Sequence, residues 1–250
     1  MHHSAPCFLM LIFFTGKGFV PIELGKTKSA ARVGDFGPEI GFSHEMTKDG
    51  KEIYLIKFFS SGMPLHHGWS GGRWIGDAPS SERRTNFYPG IDDEDAKKGI
   101  LYSAMILKFT AGINNLKAYG NTPKIRRFLW MQGERDAQNK QSANEYAACL
   151  KLLRNRISAD LKTPDLPMVF GQVLPHTPAL KRYPHTELIR AQMAAAVSHS
   201  GKPEIITRAT MVSTDKFPLL KDKVHYNAKG QWMLGQSMAV AMRDILNTEK

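Results

Sequence analysis

The sequence predicts an α/β fold in which a parallel sheet is covered by helices on both faces. Three observations predict it. Short, continuous apolar runs typical of buried strands alternate along the chain with longer segments of helical periodicity. That alternation is typical of βαβ units with right-handed crossovers. The length of 250 residues and the apolar content of 42% suit one domain, residues 1–250, with a large core.

Five apolar runs are interpreted as the strands of this sheet. The first ends at Thr15-Gly16-Lys17-Gly18, and its continuous apolar character suits a fully buried strand. Asp49-Gly50 is a turn signal directly before the second run. The predicted strands cover residues 8–14, 52–59, 125–131, 167–174 and 204–213.

Five segments are interpreted as helices. The first is short and opens at Phe36-Gly37-Pro38-Glu39, with Pro38 near its first turn. Residues 16–36 and 60–95 are predicted loops, and a loop as long as the second is usually functional. The remaining predicted helices cover residues 96–117, 142–161, 186–200 and 227–246.

Composition excludes several classes of partner. The net charge of +11 and the pI of about 9.6 raise the question of nucleic acid. The positive residues, however, occur as scattered pairs such as Arg83-Arg84 and Lys97-Lys98, which is typical of a solvated surface. No apolar run has membrane-spanning length. The sequence therefore predicts neither a nucleic-acid nor a membrane partner.

Two features of the N-terminal half bear on compartment and redox chemistry. Cys7 and Cys149 are too far apart to form a metal or redox motif, and they imply no disulfide framework. Residues 7–14 are about as long as a signal-peptide core. Their flank lacks Lys and Arg and no A-x-A-like site follows, which favours a buried strand or a mis-assigned gene start.

The stretch FLWMQGERDA, residues 128–137, combines the end of a predicted strand with a polar turn. Open α/β sheets place their chemistry at such strand ends. The amide of Gln132 can donate to a developing oxyanion, or it can simply satisfy the turn backbone. Glu134 and Asp136 can position substrate hydroxyls, or they can cap the next helix. A tryptophan such as Trp130 packs in the hydrophobic core more often than it stacks against a sugar ring.

Two other stretches are expected to meet this turn. Gly62 ends the second predicted strand, where its N–H can serve the same oxyanion or merely form a turn. Asp222 and His225 lie three residues apart in a predicted loop before the last helix. A hydrolase needs an imidazole held in one tautomer by a carboxylate. The alternative is a solvated loop in which His225 caps the following helix.

Together these stretches resemble a known family. They are similar to the sialate O-acetylesterase-like carbohydrate esterases of the SGNH hydrolase superfamily, which include acetylxylan esterase-like enzymes. The W-x-Q-G-E-x-D-A and D-x-x-H-Y patterns are the most specific, and the resemblance runs from about residue 20 to about residue 245. The matching segments are FGPEIGF (36–42), KFFSSG…W (57–69), WMQGERDA (130–137), IRAQ (189–192) and DKVHYNAKGQ (222–231).

The resemblance implies a three-layer α/β/α sandwich with a parallel, flavodoxin-like sheet of five strands, whose first strand is incomplete here. It implies an esterase that removes acetyl groups from sugars or polysaccharides. No metal or cofactor is expected, since a serine nucleophile divides ester hydrolysis into acylation and deacylation. It also suggests a secreted or periplasmic setting. The oligomeric state is not predicted.

The resemblance also implies roles for individual residues. His225 corresponds to the general base and Asp222 to its orienting acid. Gly62 and Gln132 correspond to the oxyanion donors. Three further residues in the matching segments are expected to bind substrate or to support the site: Trp130, Glu134 and Arg190.

One element of the family pattern is missing. The family nucleophile lies in a G-Q-S-N or G-D-S turn directly after the first strand, whereas this chain continues into Thr15-Gly16-Lys17-Gly18. Either an N-terminal piece is missing and residues 1–19 are non-native, or a deletion has replaced the nucleophile turn. This favours, as an alternative, a catalytically inactive fragment or sugar-binding descendant of the same fold.

Other serines fit the nucleophile role less well. Ser70 lies in a G-x-S-x-G string, which suggests an α/β-hydrolase-like esterase with the order Ser70…Asp222…His225. That motif requires a strand, a sharp turn and a helix, and the residues after Ser70 are not helical in pattern. Ser60 and Ser61 follow the second predicted strand and not the first.

A metal site is not predicted. His66-His67 lacks a third ligand at a fixed spacing, and His44-Glu45 does not complete H-E-x-x-H because Lys48 stands at the last position.

Overall fold

Eight strands and six helices form the described part of the chain in the computed structural model, which covers residues 11–23, 26–30, 32, 35–79, 82–175 and 179–247. Residues 8–10 of the first predicted strand lie outside these ranges. The strands are β1 (Leu11–Phe14), β2 (Phe19–Pro21), β3 (Ile53–Leu55), β4 (Trp69–Ser70), β5 (Arg73–Trp74), β6 (Phe128–Trp130), β7 (Met168–Gly171) and β8 (Ala209–Val212). The helices are α1 (Glu39–Met46), α2 (Ile100–Ala118), α3 (Lys140–Asn144), α4 (Tyr146–Asp160), α5 (Thr186–Ala195) and α6 (Ala228–Asn247).

Three parallel strands, β6, β7 and β8, form the sheet that leads into the FLWMQGERDA turn. β7 lies in the middle, with Phe170 paired to Trp130 on one side and to Met211 on the other. All four residues of β7 are buried. Burial on both faces explains why these strands appear in the sequence as continuous apolar runs.

Successive residues of these strands alternate between two apolar layers, because side chains of a strand point to opposite faces. Met168 and Phe170 of β7 pack with residues of α2, α4 and α5. Val169, between them, packs with residues of α1 and α6. The predicted α/β class and the helices on both faces are therefore confirmed, and the layers are those of an α/β/α sandwich.

The strands β1, β2 and β3 form a separate ladder in the order β2-β1-β3. β1 pairs in parallel with β3 and in antiparallel fashion with β2, where Phe14 lies opposite Phe19. Since a strand has only two edges, β1 has none left for β6. One continuous five-stranded sheet is therefore not formed by the described residues, and the five predicted parallel strands divide into two ladders.

Two parts of the chain differ from the predicted elements. The helix predicted over residues 142–161 is divided at Glu145 into α3 and α4, and Asn139 caps α3 by accepting the N–H of Ser142. The stretch 60–95, predicted as a loop, contains the antiparallel hairpin of β4 and β5. Both strands of that hairpin have two residues, which is too short for a periodicity to show.

Helices α1 and α6 cross at close range, which explains two glycines. A Cβ on Gly41 would collide with the carbonyl of Trp232, and one on Gly235 would collide with the carbonyl of Pro38. Glu45 of α1 accepts hydrogen bonds from Gln236 and Arg243 of α6 at 2.8 and 3.0 Å. The FGPEIGF segment is thus the α6-facing surface of α1. None of the described helices is both long and apolar enough to cross a membrane.

Candidate active site

The predicted site lies at the carboxyl ends of β6 and β8 and after β3. The turn after β6 contains Gly133, whose φ of +153° disfavours other residues. A Cβ there would approach the Met193 side chain of α5 to 2.7 Å. The glycine of the Q-G-E motif therefore lets the turn lie directly on α5.

Asp136 joins this turn to the long loop after β3. Its side chain is fully buried, and each carboxylate oxygen accepts two hydrogen bonds. Oδ2 accepts the N–H of Leu65 at 2.9 Å and Nε2 of Gln132 at 2.6 Å. Oδ1 accepts the N–H of His66 at 3.0 Å and the hydroxyl of Ser142 at 2.6 Å. A buried carboxylate with these partners holds the β6 turn against the loop after β3, and it cannot contact a substrate in this conformation.

Gln132 is held in the same network. Its Nε2 donates to the carbonyl of Met63 at 3.1 Å as well as to Asp136. The Tyr146 hydroxyl donates to the Gln132 carbonyl at 2.5 Å. Both amide hydrogens thus have internal acceptors, and the oxyanion role of Gln132 stays a prediction. What the side chain does here is to connect the β6 turn to the residue after Gly62.

Trp130 lies in the core beneath the turn. It is 7% exposed, and its ring packs edge-on against Phe87 at a centroid distance of 5.3 Å. Its Nε1 donates to the Tyr146 hydroxyl at 3.2 Å. Trp130 therefore supports the turn from below and offers no surface to a sugar.

Asp222 and His225 form a hydrogen-bonded pair. Oδ2 of Asp222 lies 2.6 Å from Nδ1 of His225, and Oδ1 accepts the N–H groups of Val224 and His225 at 2.9 and 3.0 Å. The hydrogen bond from His225 and the N–H of Val224 lower the pKa of Asp222 well below its usual range. The carboxylate is therefore ionised and fixes the imidazole.

The helix after this pair is capped by another residue. Oδ1 of Asn227 accepts the N–H of Gly230 in the first turn of α6, so the alternative in which His225 caps α6 is wrong. The His225 side chain is 71% exposed, and its Nε2 makes no hydrogen bond with a described residue. Nε2 is therefore not engaged by any described residue.

Glu134 is the charged group of the turn that lies near His225. Burial raises the pKa of the Glu134 carboxyl, and the backbone N–H groups of Glu134 and Gly133 and the charge of His225 act in the opposite direction. This interaction indicates that the turn after β6 and the loop after β8 lie near each other, and the convergence of the four predicted catalytic residues stays a prediction.

Gly62 is exposed and adopts a left-handed φ of +67°. Its carbonyl accepts Nε of Arg135 at 3.0 Å, while its N–H donates to no described residue. A free backbone N–H next to the β6 turn is the feature that an oxyanion donor needs.

Arg135 was not singled out by sequence reasoning. Besides Gly62, it bonds Oε1 of Gln138 through Nη1 at 2.8 Å, and its guanidinium lies over the ring of Trp69 at 5.9 Å. It occupies the variable position of W-x-Q-G-E-x-D-A, so the motif gave no signal for it. Its guanidinium connects the β6 turn to Gly62 and to the β4–β5 hairpin.

The pKa of Tyr183 is influenced by charged groups of both the β6 turn and the Asp222–His225 loop. Burial raises its pKa. Arg182 and Arg135 oppose that rise, whereas Glu134 and Asp222 add to it. These influences are consistent with Tyr183 lying between the β6 turn and the Asp222–His225 loop.

Arg190, predicted to bind substrate or to support the site, connects separate segments of the protein through its guanidinium. Its Nη1 donates to the carbonyl of Val173 at 2.9 Å and its Nη2 to Asp215 at 2.7 Å. It thus connects α5 to the segments that follow β7 and β8.

The structure offers no serine in the expected position after β1. β1 leads into a hairpin in which the Thr15 hydroxyl donates to the carbonyl of Gly18 at 2.9 Å. Ser70 lies in β4 and accepts the N–H of Thr85, in a hairpin and not in the strand–turn–helix that G-x-S-x-G requires. Ser60 and Ser61 lie in the segment between β3 and Gly62, as expected.

His66 and His67 have structural partners. Nδ1 of His66 accepts the N–H of Gly68 at 2.8 Å, so the ring is neutral and donates from Nε2 to Glu145 at 2.7 Å. Nε2 of His67 lies 3.0 Å from Asp77, and burial lowers the pKa of His67. No group of three metal-ligating side chains occurs among residues that the structure describes.

Comparisons with known proteins agree with this architecture. A solved structure of a protein from Arabidopsis thaliana matches with a TM-score of 0.64 and 16% identity, covering 94% of this chain and 80% of that chain. At that identity the likeness concerns the fold. No curated protein matches significantly. The family model described as "Carbohydrate esterase, sialic acid-specific acetylesterase" matches residues 19–244. The chain therefore belongs to this family of carbohydrate esterases.

Proposed function

We propose that this chain hydrolyses acetyl esters of carbohydrates, with His225 as general base and Asp222 as the acid that orients it. The observation that carries the proposal is the 2.6 Å contact between Asp222 Oδ2 and His225 Nδ1, with Nε2 left facing solvent. Membership of a carbohydrate esterase family supports the reaction class.

The proton path follows from this geometry. Because Nδ1–H is donated to an ionised carboxylate, the lone pair of His225 is on Nε2. Nε2 takes the proton of an attacking hydroxyl, and Asp222 stabilises the imidazolium that forms. The proton then passes to the sugar oxygen as the acetyl–sugar bond breaks, which releases the sugar as a neutral alcohol and leaves the acetyl group on the attacking oxygen. Water, deprotonated by Nε2 in the same way, then attacks this acetyl group and releases it as acetate, with the proton returned to the hydroxyl.

The tetrahedral oxyanion is stabilised by the N–H of Gly62. That N–H has no acceptor among the described residues, and Arg135 holds the carbonyl of the same residue. Gln132 holds the residue that follows Gly62, because its Nε2 donates a hydrogen bond to the carbonyl of Met63. We therefore assign to Gln132 the role of positioning the segment around Gly62. Its amide can donate directly to the oxyanion only if it leaves Asp136.

A second candidate function is sugar binding without turnover. The observation that favours it is the β1–β2 hairpin, which places Thr15 and no serine directly after β1. A protein of this kind keeps the pocket, and its ligand is released unchanged.

One experiment separates the two candidates. The purified chain is assayed with p-nitrophenyl acetate and with an O-acetylated sugar, together with His225→Ala and Asp222→Asn. Turnover that both substitutions abolish supports the esterase, whereas a folded protein without turnover that still binds the deacetylated sugar supports the binding protein. Labelling with a serine-reactive phosphonate and mass mapping then identifies the nucleophile, with Thr15, Ser60, Ser61 and Ser70 as the hydroxyls to inspect.

A further inference from the structure

The outer face of α2 is exposed, yet it has no charged residue along its middle line. The inner face of the helix contains its buried residues, Tyr102, Met105, Gly112 and Leu116. On the opposite side, exposed residues follow one another at the helical spacing of three or four positions. We call them the α2 stripe: Ile100, Ala104, Leu107, Ala111, Asn114 and Ala118. The solvent side of a surface helix is normally charged or polar, so an apolar line of this length indicates a docking surface.

The α2 stripe is complementary to itself when a second copy lies antiparallel to it. A two-fold axis at the middle of α2 places Leu107 of one copy opposite Ala111 of the other, and Ile100 opposite Ala118. Each large side chain, among them Leu107 with 73% of its surface exposed, thus meets a small one. Large side chains that face small ones let two helices approach closely and interdigitate. A parallel copy in register would instead place each residue against its own equivalent.

The two ends of α2 have opposite charge. In the turn before the helix, Asp92 and Glu94 are exposed, and neither forms an ion pair with a described residue. In the last turn of the helix and in the connection to β6, Lys117, Lys124 and Arg126 are exposed and have no carboxylate partner within the described ranges. An antiparallel copy brings the acidic end of one helix to the basic end of the other, whereas a parallel copy brings like charges together.

The other charged residues of the acidic turn are paired inside the protein. Asp93 binds Lys98 at 2.8 Å, and Lys97 binds Asp77 at 2.6 Å. Asp95 accepts two backbone N–H groups of the same turn. The carboxylates that stay available for a second molecule are therefore those of the exposed pair before the helix.

We propose that α2 is a dimer interface in which the α2 stripe packs antiparallel against the α2 stripe of a second copy of this chain. The helix has 19 residues and is about 28 Å long. One helix face of this length is a small interface, so the dimer is reversible. An anionic lipid surface fits this face less well, because it would repel the acidic end of the helix.

The first test measures the oligomeric state of the full chain by sedimentation velocity between about 1 and about 200 μM. Leu107→Asp should raise the dissociation constant of the dimer by about a hundredfold or more, because both copies lose a buried leucine. Val240→Asp, at an exposed apolar position of α6, is the matched control and should leave the dimer unchanged. Circular dichroism checks that both variants are folded. A wild type that is monomeric over the whole range, or a dimer that Leu107→Asp leaves intact, overturns the proposal.

The second test measures orientation with a short bismaleimide cross-linker. Ile100→Cys and Ala118→Cys are made separately in a Cys7→Ser background, and Cys149 is buried. In the antiparallel dimer the two Ile100 positions lie about 27 Å apart, whereas Ile100 of one copy is next to Ala118 of the other. A mixture of the two variants should therefore cross-link, and neither should cross-link alone. Cross-linking of Ile100→Cys with itself overturns the antiparallel arrangement. A monomer that sediments with phosphatidylserine vesicles through Leu107 excludes a second copy as the occupant.

Discussion

Replacing Asp136 by asparagine tests the claim that this carboxylate fastens the β6 turn to the loop after β3. In the structure each of its two oxygens accepts two hydrogen bonds. Asparagine keeps one oxygen and replaces the other by an NH₂ group, which cannot accept. Whichever oxygen is replaced, two donors lose their acceptor in a fully buried place.

The size of the effect follows from these counts. A hydrogen bond to a charged group contributes about 1.5–3 kcal/mol, so the loss of two predicts a decrease in the free energy of unfolding of about 3–6 kcal/mol. Where the NH₂ group takes the place of Oδ1, the Ser142 hydroxyl can rotate and accept from it, which places the expected value toward the lower end. Because domains of this size have about 5–15 kcal/mol in total, the change is large.

Urea unfolding followed by tryptophan fluorescence measures this decrease. Asp92→Asn is the matched control, because Asp92 is exposed and accepts one N–H, that of Glu94. We expect the control to stay within about 0.5 kcal/mol of the wild type. Where Asp136→Asn does not fold, Ser142→Ala removes one donor to Asp136 and also the acceptor of the Trp69 Nε1–H, and it is expected to cost about 2–4 kcal/mol. An Asp136→Asn protein within 1 kcal/mol of the wild type would refute the fastening role.

Three further predictions concern the base, the pH dependence of stability and the α1–α6 contact. Asp222→Asn should lower kcat by about a thousandfold or more with a small change in KM, because an amide no longer holds the imidazole tautomer; an Asp222→Asn enzyme with full kcat would exclude the dyad. The hydrogen bond from Lys48 holds the pKa of Glu45 at about 2, below the ordinary glutamate pKa of 4.5. The stability that the ionised Glu45 contributes is therefore fully present above pH 4.5 and is lost as the pH falls toward 2. Glu45→Gln should therefore flatten the acid limb of stability measured by urea unfolding, and an unchanged limb would contradict the assignment. Gly235→Ala should destabilise by about 1–3 kcal/mol through its collision with the Pro38 carbonyl, whereas Gly18→Ala, with open space around it, should not; equal unfolding midpoints for the two variants would argue against that close contact.

Local sequence patterns were sufficient to predict the strands of the parallel sheet and one contact of the proposed site. Strands buried on both faces give continuous apolar runs, so β6, β7 and β8 were predicted within a few residues of their observed bounds. The Asp222–His225 pair could also be predicted, because an acid three residues before a histidine closes a contact within one loop. Such contacts need no knowledge of the tertiary fold.

Contacts between distant parts of the chain could not be predicted in the same way. Asp136 binds Leu65, 71 positions away, and no local pattern announces that pairing. Arg135 stands between two motif residues, and only the fold shows that it meets Gly62. The pairing of β2 with β1 also escaped prediction, because its three residues lie in a segment with the composition of a loop.

The division of the sheet has a consequence for local unfolding. No backbone ladder connects β1 to β6 among the described residues, yet the proposed site takes Gly62 from the segment after β3 and His225 from the loop after β8. Near the proposed site, hydrogen bonds of Asp136, Gln132 and Arg135 connect the turn after β6 to the segment after β3, and so connect the β6-β7-β8 ladder to the β2-β1-β3 ladder. A fluctuation that opens these few bonds would separate Gly62, the proposed oxyanion donor, from His225, the proposed base, while both ladders stay folded. In amide hydrogen exchange, residues 62–66 should accordingly lose protection at a lower free energy than β7.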